Sequence, residues 1–70
     1  MISQTFARNV RKEALSQGRH IGELETSCGV GVGYLAKSAK YGHWIPLETA
    51  ERFAKALGKE IAELCEEWKT

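Results

Sequence analysis

Gly29-Val-Gly-Val-Gly-Tyr-Leu-Ala-Lys-Ser38 is the stretch on which the fold of this chain turns. It lies between two segments with helical apolar spacing. Before it, Ile21, Leu24 and Cys28 stand at i, i+3 and i+7, one buried face of a helix. Within it and just past it, Val30 and Leu35 point inward with Ala39 close to the core, while Lys37 and Lys40 point outward. Gly29 fits the left-handed position that closes a helix, where any other side chain would be strained. The spacing therefore predicts one helix over about residues 20–28 and a second starting at about Gly31 and running to about Lys40.

The same periodicity continues on both sides. Upstream, Phe6, Val10 and Ala14 recur every four residues with Ala7 beside them, which predicts a helix over about 5–16. Arg8, Arg11 and Lys12 fall off that stripe, and Gly18 is its expected stop. Downstream, Tyr41-Gly-His-Trp-Ile-Pro46 is the one real loop. Pro46 holds the residue before it extended and tolerates the first helical turn after it. Leu47, Ala50, Phe53, Ala54 and Leu57 then form the apolar face of a helix over about 47–57, ended by Gly58. Ile61, Leu64, Cys65 and Trp68 share one side of a last helix over about 60–68. The expected fold is all-α, five short helices in a single domain spanning 1–70. None is long enough to persist alone in water, so all must share one core. Its expected members are Phe6, Val10, Ile21, Leu24, Val30, Leu35, Leu47, Phe53, Ala54, Leu57 and Leu64.

Composition narrows the function classes. Hydrophobic residues make up 43% of the chain, which suits a folded globule rather than a disordered segment. No apolar run reaches the ~18 residues of a membrane span. The first residues, Met1-Ile-Ser-Gln-Thr-Phe6, lack the basic start and apolar stretch of a secretory signal, so a cytoplasmic protein is expected. The two cysteines, Cys28 and Cys65, form no CxxC pair, and His20 and His43 lack zinc-finger spacing. Neither a metal nor a cofactor is expected, and the thiols are expected to act as small buried hydrophobes. Catalysis has little to work with. The chain has no aspartate, and His20 and Cys28 lie on different faces of their helix. The glycine-rich run follows a helix rather than a strand, unlike a nucleotide-binding loop.

Net charge is +1, but it is unevenly spread. Residues 1–46 carry six basic groups (Arg8, Arg11, Lys12, Arg19, Lys37, Lys40) against Glu13, Glu23 and Glu25, for +3; residues 47–70 carry four basic and six acidic groups, for −2. The first part is suited to approach phosphates. Two short helices joined by a tight glycine turn are the plan of a helix-turn-helix, whose second helix can enter the DNA major groove.

From Phe6 to Cys65 the chain resembles the phage-repressor and Cro-like helix-turn-helix family, often called XRE-type regulators. Ile21-Gly-Glu-Leu-Glu-Thr-Ser-Cys-Gly-Val30 looks like the family's second helix and turn, and Gly33-Tyr-Leu-Ala-Lys37 like its third helix. Leu47-Glu-Thr-Ala-Glu-Arg-Phe-Ala-Lys-Ala-Leu-Gly58 followed by Ile61-Ala-Glu-Leu64 is close to its fourth and fifth, and is the most specific part of the match. The resemblance implies a compact lambda-repressor-like domain. It also implies a small transcriptional regulator, a dimeric repressor on a palindromic operator, of bacterial, phage or mobile-element origin. Some positions depart from the family pattern. Ile21 stands where a polar residue, commonly glutamine, is usual, and Ala39 where glutamate is common. Tyr41 replaces a frequent glycine, Pro46 comes one place late, and Gly31, Val32 and Gly33 stand where polar base-reading residues are expected.

The candidate DNA contacts are Arg19, His20, Gly31, Val32, Gly33, Tyr34, Lys37, Lys40 and His43. The glycines let backbone approach the groove floor, and Val32 can meet a thymine methyl, leaving DNA shape to carry specificity. Lys37 can reach a base or a phosphate. Tyr34 either offers its hydroxyl to a phosphate or joins the core. Lys40 and His43 flank the loop toward the sugar-phosphate backbone, and Arg19 and His20 stand at the start of the second helix, where a phosphate is favoured. Trp44 either packs over the core or lies against a deoxyribose. Cys65 and Trp68 are the candidate dimer contacts, with Trp68 folding back onto its own domain as the alternative. No small-molecule ligand is evident and no membrane partner is expected. The competing function is a protein-interaction module on the same fold, an antitoxin-like or accessory protein, which the near-neutral charge and the apolar start of the third helix favour.

Overall fold

Five helices and no strand make up the residues described, 3–65, in the computed structural model: α1 (Ser3–Ser16), α2 (Ile21–Ser27), α3 (Tyr34–Tyr41), α4 (Leu47–Leu57) and α5 (Ile61–Cys65). The all-helical architecture agrees with the periodicity. Among the described residues no helix is long and apolar enough to cross a membrane.

The first helix is the spine. Phe6, Ala7, Val10 and Ala14 are fully buried along one stripe, and α1 touches each of the other four helices. It stops as Gly18 turns into the left-handed region at φ +71° and Arg19 N–H donates back to the Ala14 carbonyl. The side chains that follow α1 then reach the far end of α4. Gln17 Nε2 donates to the Leu57 carbonyl at 2.8 Å, and Arg19 Nη1 donates to the Ala56 carbonyl. These acceptors belong to the last turn of a helix, where carbonyls have no partner along the chain. Asn9, buried in the middle of α1, donates to the Leu64 carbonyl at 2.7 Å and ties down α5, which at five residues could not stand alone.

On α4, Ala50, Phe53, Ala54 and Leu57 face the core. One expectation for this region is corrected: Leu47 is 59% exposed rather than buried. Of the two alternatives for Trp44, packing over the core is not what the structure has, since Trp44 is 69% exposed. The fully buried residue is Ile45. Pro46 forces Ile45 into extended backbone, in which neighbouring side chains point opposite ways. Sinking Ile45 into the core therefore turns Trp44 outward, and Leu47, on the first turn of α4, stays exposed. Ile21 and Val30 pack against the core only partly buried.

Helix boundaries shift most at the glycine turn. The third helix starts at Tyr34, not at Gly31, because Gly33 adopts φ +93° and cannot continue a right-handed helix. It ends at Tyr41, one residue past expectation, with Gly42 left-handed as its cap. The second helix is shorter than expected, with His20 and Cys28 as its flanking caps. The fifth starts at Ile61; its expected continuation to Trp68 lies outside the described residues.

Candidate functional site

The turn between α2 and α3 is held from inside by one acidic side chain. Glu25 lies on α2 and is 1% exposed. Its Oε1 accepts the Gly33 N–H at 3.0 Å and its Oε2 accepts the Leu35 N–H at 2.8 Å. Both donors belong to the start of α3, where backbone N–H groups have no partner within the helix. The carboxylate thus does from another helix what a local N-cap side chain would do, and Gly33 has no side chain to do it. Beside it, Val30 N–H closes onto the Glu25 carbonyl at 3.1 Å, completing the end of α2 around Gly29 at φ +80°. Two hydrogen bonds thus tie the start of α3 to α2, while both helices pack against α1.

Glu25 was not among the expected site residues. Its signal is nonetheless present in the sequence, because Ile21, Leu24, Glu25 and Cys28 occupy i, i+3, i+4 and i+7. An acid on an apolar stripe needs a partner in the interior.

The outward side of this unit is open. Val32 is 77% exposed, Gly31 is exposed, and Gly33 is half-buried. Val32 leans toward α2, since a Cβ built on Gly22 would lie 3.9 Å from its Cγ1. Along α3, Leu35 and Ser38 are buried, leaving Ala36, Lys37, Lys40 and Tyr41 as one exposed stripe. Tyr34 belongs to the inner side: its ring stacks with Phe53 at 6.4 Å between centroids, and burial pushes its phenol above the usual 10.0.

Past the end of α3 the exposed stripe becomes aromatic. Lys40 Nζ sits 5.2 Å from the centroid of the Tyr41 ring, and Tyr41 stacks with His43 at 5.6 Å and an interplanar angle of 23°. Trp44 follows directly. Lys37, Lys40 and His43 are all exposed along this α3–loop segment. Arg19 and His20 lie apart from it, lining a hollow of about 370 Å³ with Gly18, Glu23, Leu24 and Ser27. His20 is exposed at the N-cap of α2, and Arg19 already donates to the Ala56 carbonyl. Cys65, at the end of α5, is a half-buried free thiol, and Trp68 lies outside the described residues.

The electrostatics are one-sided. No acidic residue stands between Glu25 and Glu48, and Glu25 is buried with both oxygens occupied. From the glycine turn through the loop, the charged groups offered to solvent are lysines, with His43 beside them.

The chain matches no family model, no curated protein and no solved structure.

Proposed function

We propose that the chain is a small duplex-DNA-binding regulator, with α2, the glycine turn and α3 as a helix-turn-helix in a lambda-repressor-like domain. The observation that carries this reading is the surface from Gly31 to His43. It is exposed along Val32, Lys37 and Lys40, free of acidic side chains, and mounted on a helix locked by Glu25. A rigid cationic helix face is what the major groove accepts. Lys37 and Lys40 pair with phosphates, Lys37 also reaching base edges, and Val32 lies against a thymine methyl. The glycine turn carries no polar side chain for bidentate base contacts, so sequence preference comes chiefly from DNA shape.

The regulator acts as a dimeric repressor that occludes a promoter, with the end carrying Cys65 and Trp68 as the contact between copies. The described part of one copy measures 29 Å in its longest dimension. Two copies side by side bring their α3 helices to about one DNA turn apart, ~34 Å, as a palindromic operator requires.

A second reading has its own support. Val32, Tyr41, Trp44 and Leu47 are all large and exposed, which also suits a protein-interaction module of antitoxin-like or accessory type. Selection of bound sites from a random duplex pool separates the two. A regulator enriches paired half-sites about 10 base pairs apart, centre to centre. An interaction module enriches nothing over the input pool, and that outcome would overturn the DNA reading.

A further inference from the structure

The end of α3 and the loop joining it to α4 expose aromatic surface. Tyr41 is 61% exposed and Trp44 69%, with His43 exposed between them. Tryptophan is highly buried on average, so one this open stands out. The loop is also held in place. Gly42 caps α3 in the left-handed conformation, Ile45 is fully buried, and Tyr41 is already sandwiched into ring contact with His43 under the charge of Lys40. The result is a stacked Tyr41–His43 pair with the exposed Trp44 next along the chain, Lys37 one turn back along α3, and no acidic residue between Glu25 and Glu48.

Flat rings beside ammonium groups match one ligand chemistry closely: a nucleobase whose face is uncovered, linked to phosphates. In a duplex the base faces are stacked away, and only edges and sugars are offered; in unpaired nucleotides they are free. The geometry points to the α3–α4 loop as a stacking shelf for unpaired nucleotides. One base lies on Trp44, the Tyr41–His43 pair stiffens the shelf, and Lys40 and Lys37 meet the adjoining phosphates. The proposal rests on the nucleic-acid reading above only through the two lysines; the exposed rings are a separate observation. It extends that reading from paired DNA to DNA carrying a single-stranded segment beside the duplex.

The test uses the full chain at low salt with three labelled probes: a short oligo(dT), a blunt duplex, and that duplex with an oligo(dT) overhang. Binding is followed by anisotropy of the probe and by quenching of tryptophan emission. The overhang duplex should bind more tightly than the blunt one, and oligo(dT) should quench. Trp44→Ala should lose about 10-fold in affinity for both single-stranded probes, with blunt-duplex affinity changed less than about twofold, and Trp44→Phe should recover most of the loss. Because Trp44 is exposed, the variants keep their fold, which circular dichroism verifies. If the blunt duplex binds while oligo(dT) does not, or Trp44→Ala binds every probe like the parent, the shelf is overturned and the duplex reading stands. If oligo(dT) binds through Trp44 while the blunt duplex does not, the shelf stands and the duplex reading falls. Phosphatidylserine vesicles that blue-shift the tryptophan emission of the parent but not of Trp44→Ala, when oligo(dT) has no effect, would overturn the shelf in favour of a membrane surface.

Discussion

Glu25 carries more of the site than any residue that faces solvent. Removing its side chain leaves the buried Leu35 N–H and the half-buried Gly33 N–H at a helix start without their acceptor. A hydrogen bond to a charged group contributes about 1.5–3 kcal/mol, so Glu25→Ala should destabilise the fold by about 2–4 kcal/mol in urea denaturation. Glu25→Gln keeps one acceptor and turns its amide N–H₂ toward the second donor, so it should recover only part of that loss. The glycines of the turn divide by conformation. Gly33 sits at φ +93°, and Gly33→Ala should cost about 1–2 kcal/mol. Gly31 is not in the left-handed region, and a Cβ there meets nothing within 4 Å. Gly31→Gln should therefore change the unfolding free energy by no more than the roughly 0.5 kcal/mol of an ordinary surface change while placing a base-reading amide at the turn. The apolar spacing of Ile21, Leu24 and Cys28 made the inner face of α2 legible, but it hid Glu25 among them. Periodicity reports which side of a helix a residue occupies and not what it meets there.

At the scale of the elements, α4 was legible because Phe53, Ala54 and Leu57 repeat at helical spacing and Gly58 ends the run, adopting φ +69°. The loop before it was not. Ile45, Trp44 and Leu47 are adjacent apolar residues of similar claim on the core, and only the three-dimensional path of an extended pre-proline segment decides which is buried. The start of α3 was misplaced for a related reason: a glycine allows a helix but also the left-handed turn that excludes one, and Gly33 takes the turn. The end of α2 bears on stability against pH. Burial pushes the Cys28 thiol above its ordinary 9.0, against the lowering pull of the Ser27 hydrogen bond and of Arg19 and Arg52, and burial raises Tyr34 too. Both groups are held neutral by the fold. The unfolded chain ionises first, so the stability they supply is whole below the unfolded values and is lost as pH rises through the folded ones. The denaturation midpoint should fall between about pH 8 and about pH 10, and Cys28→Ala should flatten that fall. A midpoint that holds or rises over this range would contradict the assignment.

The described residues form a small helical body built on α1, and two of its cations, Lys37 and Lys40, stand on a stretch that carries no carboxylate. A net charge of +1 understates that arrangement, since the acids stand mostly on α4 and beyond, while α3 and its loop have none. Duplex binding through this face must release counterions in proportion to the phosphates met. The most direct test is a salt titration of duplex affinity for the parent chain and for the Lys37→Ala, Lys40→Ala double variant. The parent should bind at low salt with affinity falling steeply as a power of salt concentration, and the double variant should bind more weakly with a slope shallower by about 2. Absence of duplex binding at low salt, or a slope that the two substitutions leave unchanged, would contradict the assignment of this face to DNA.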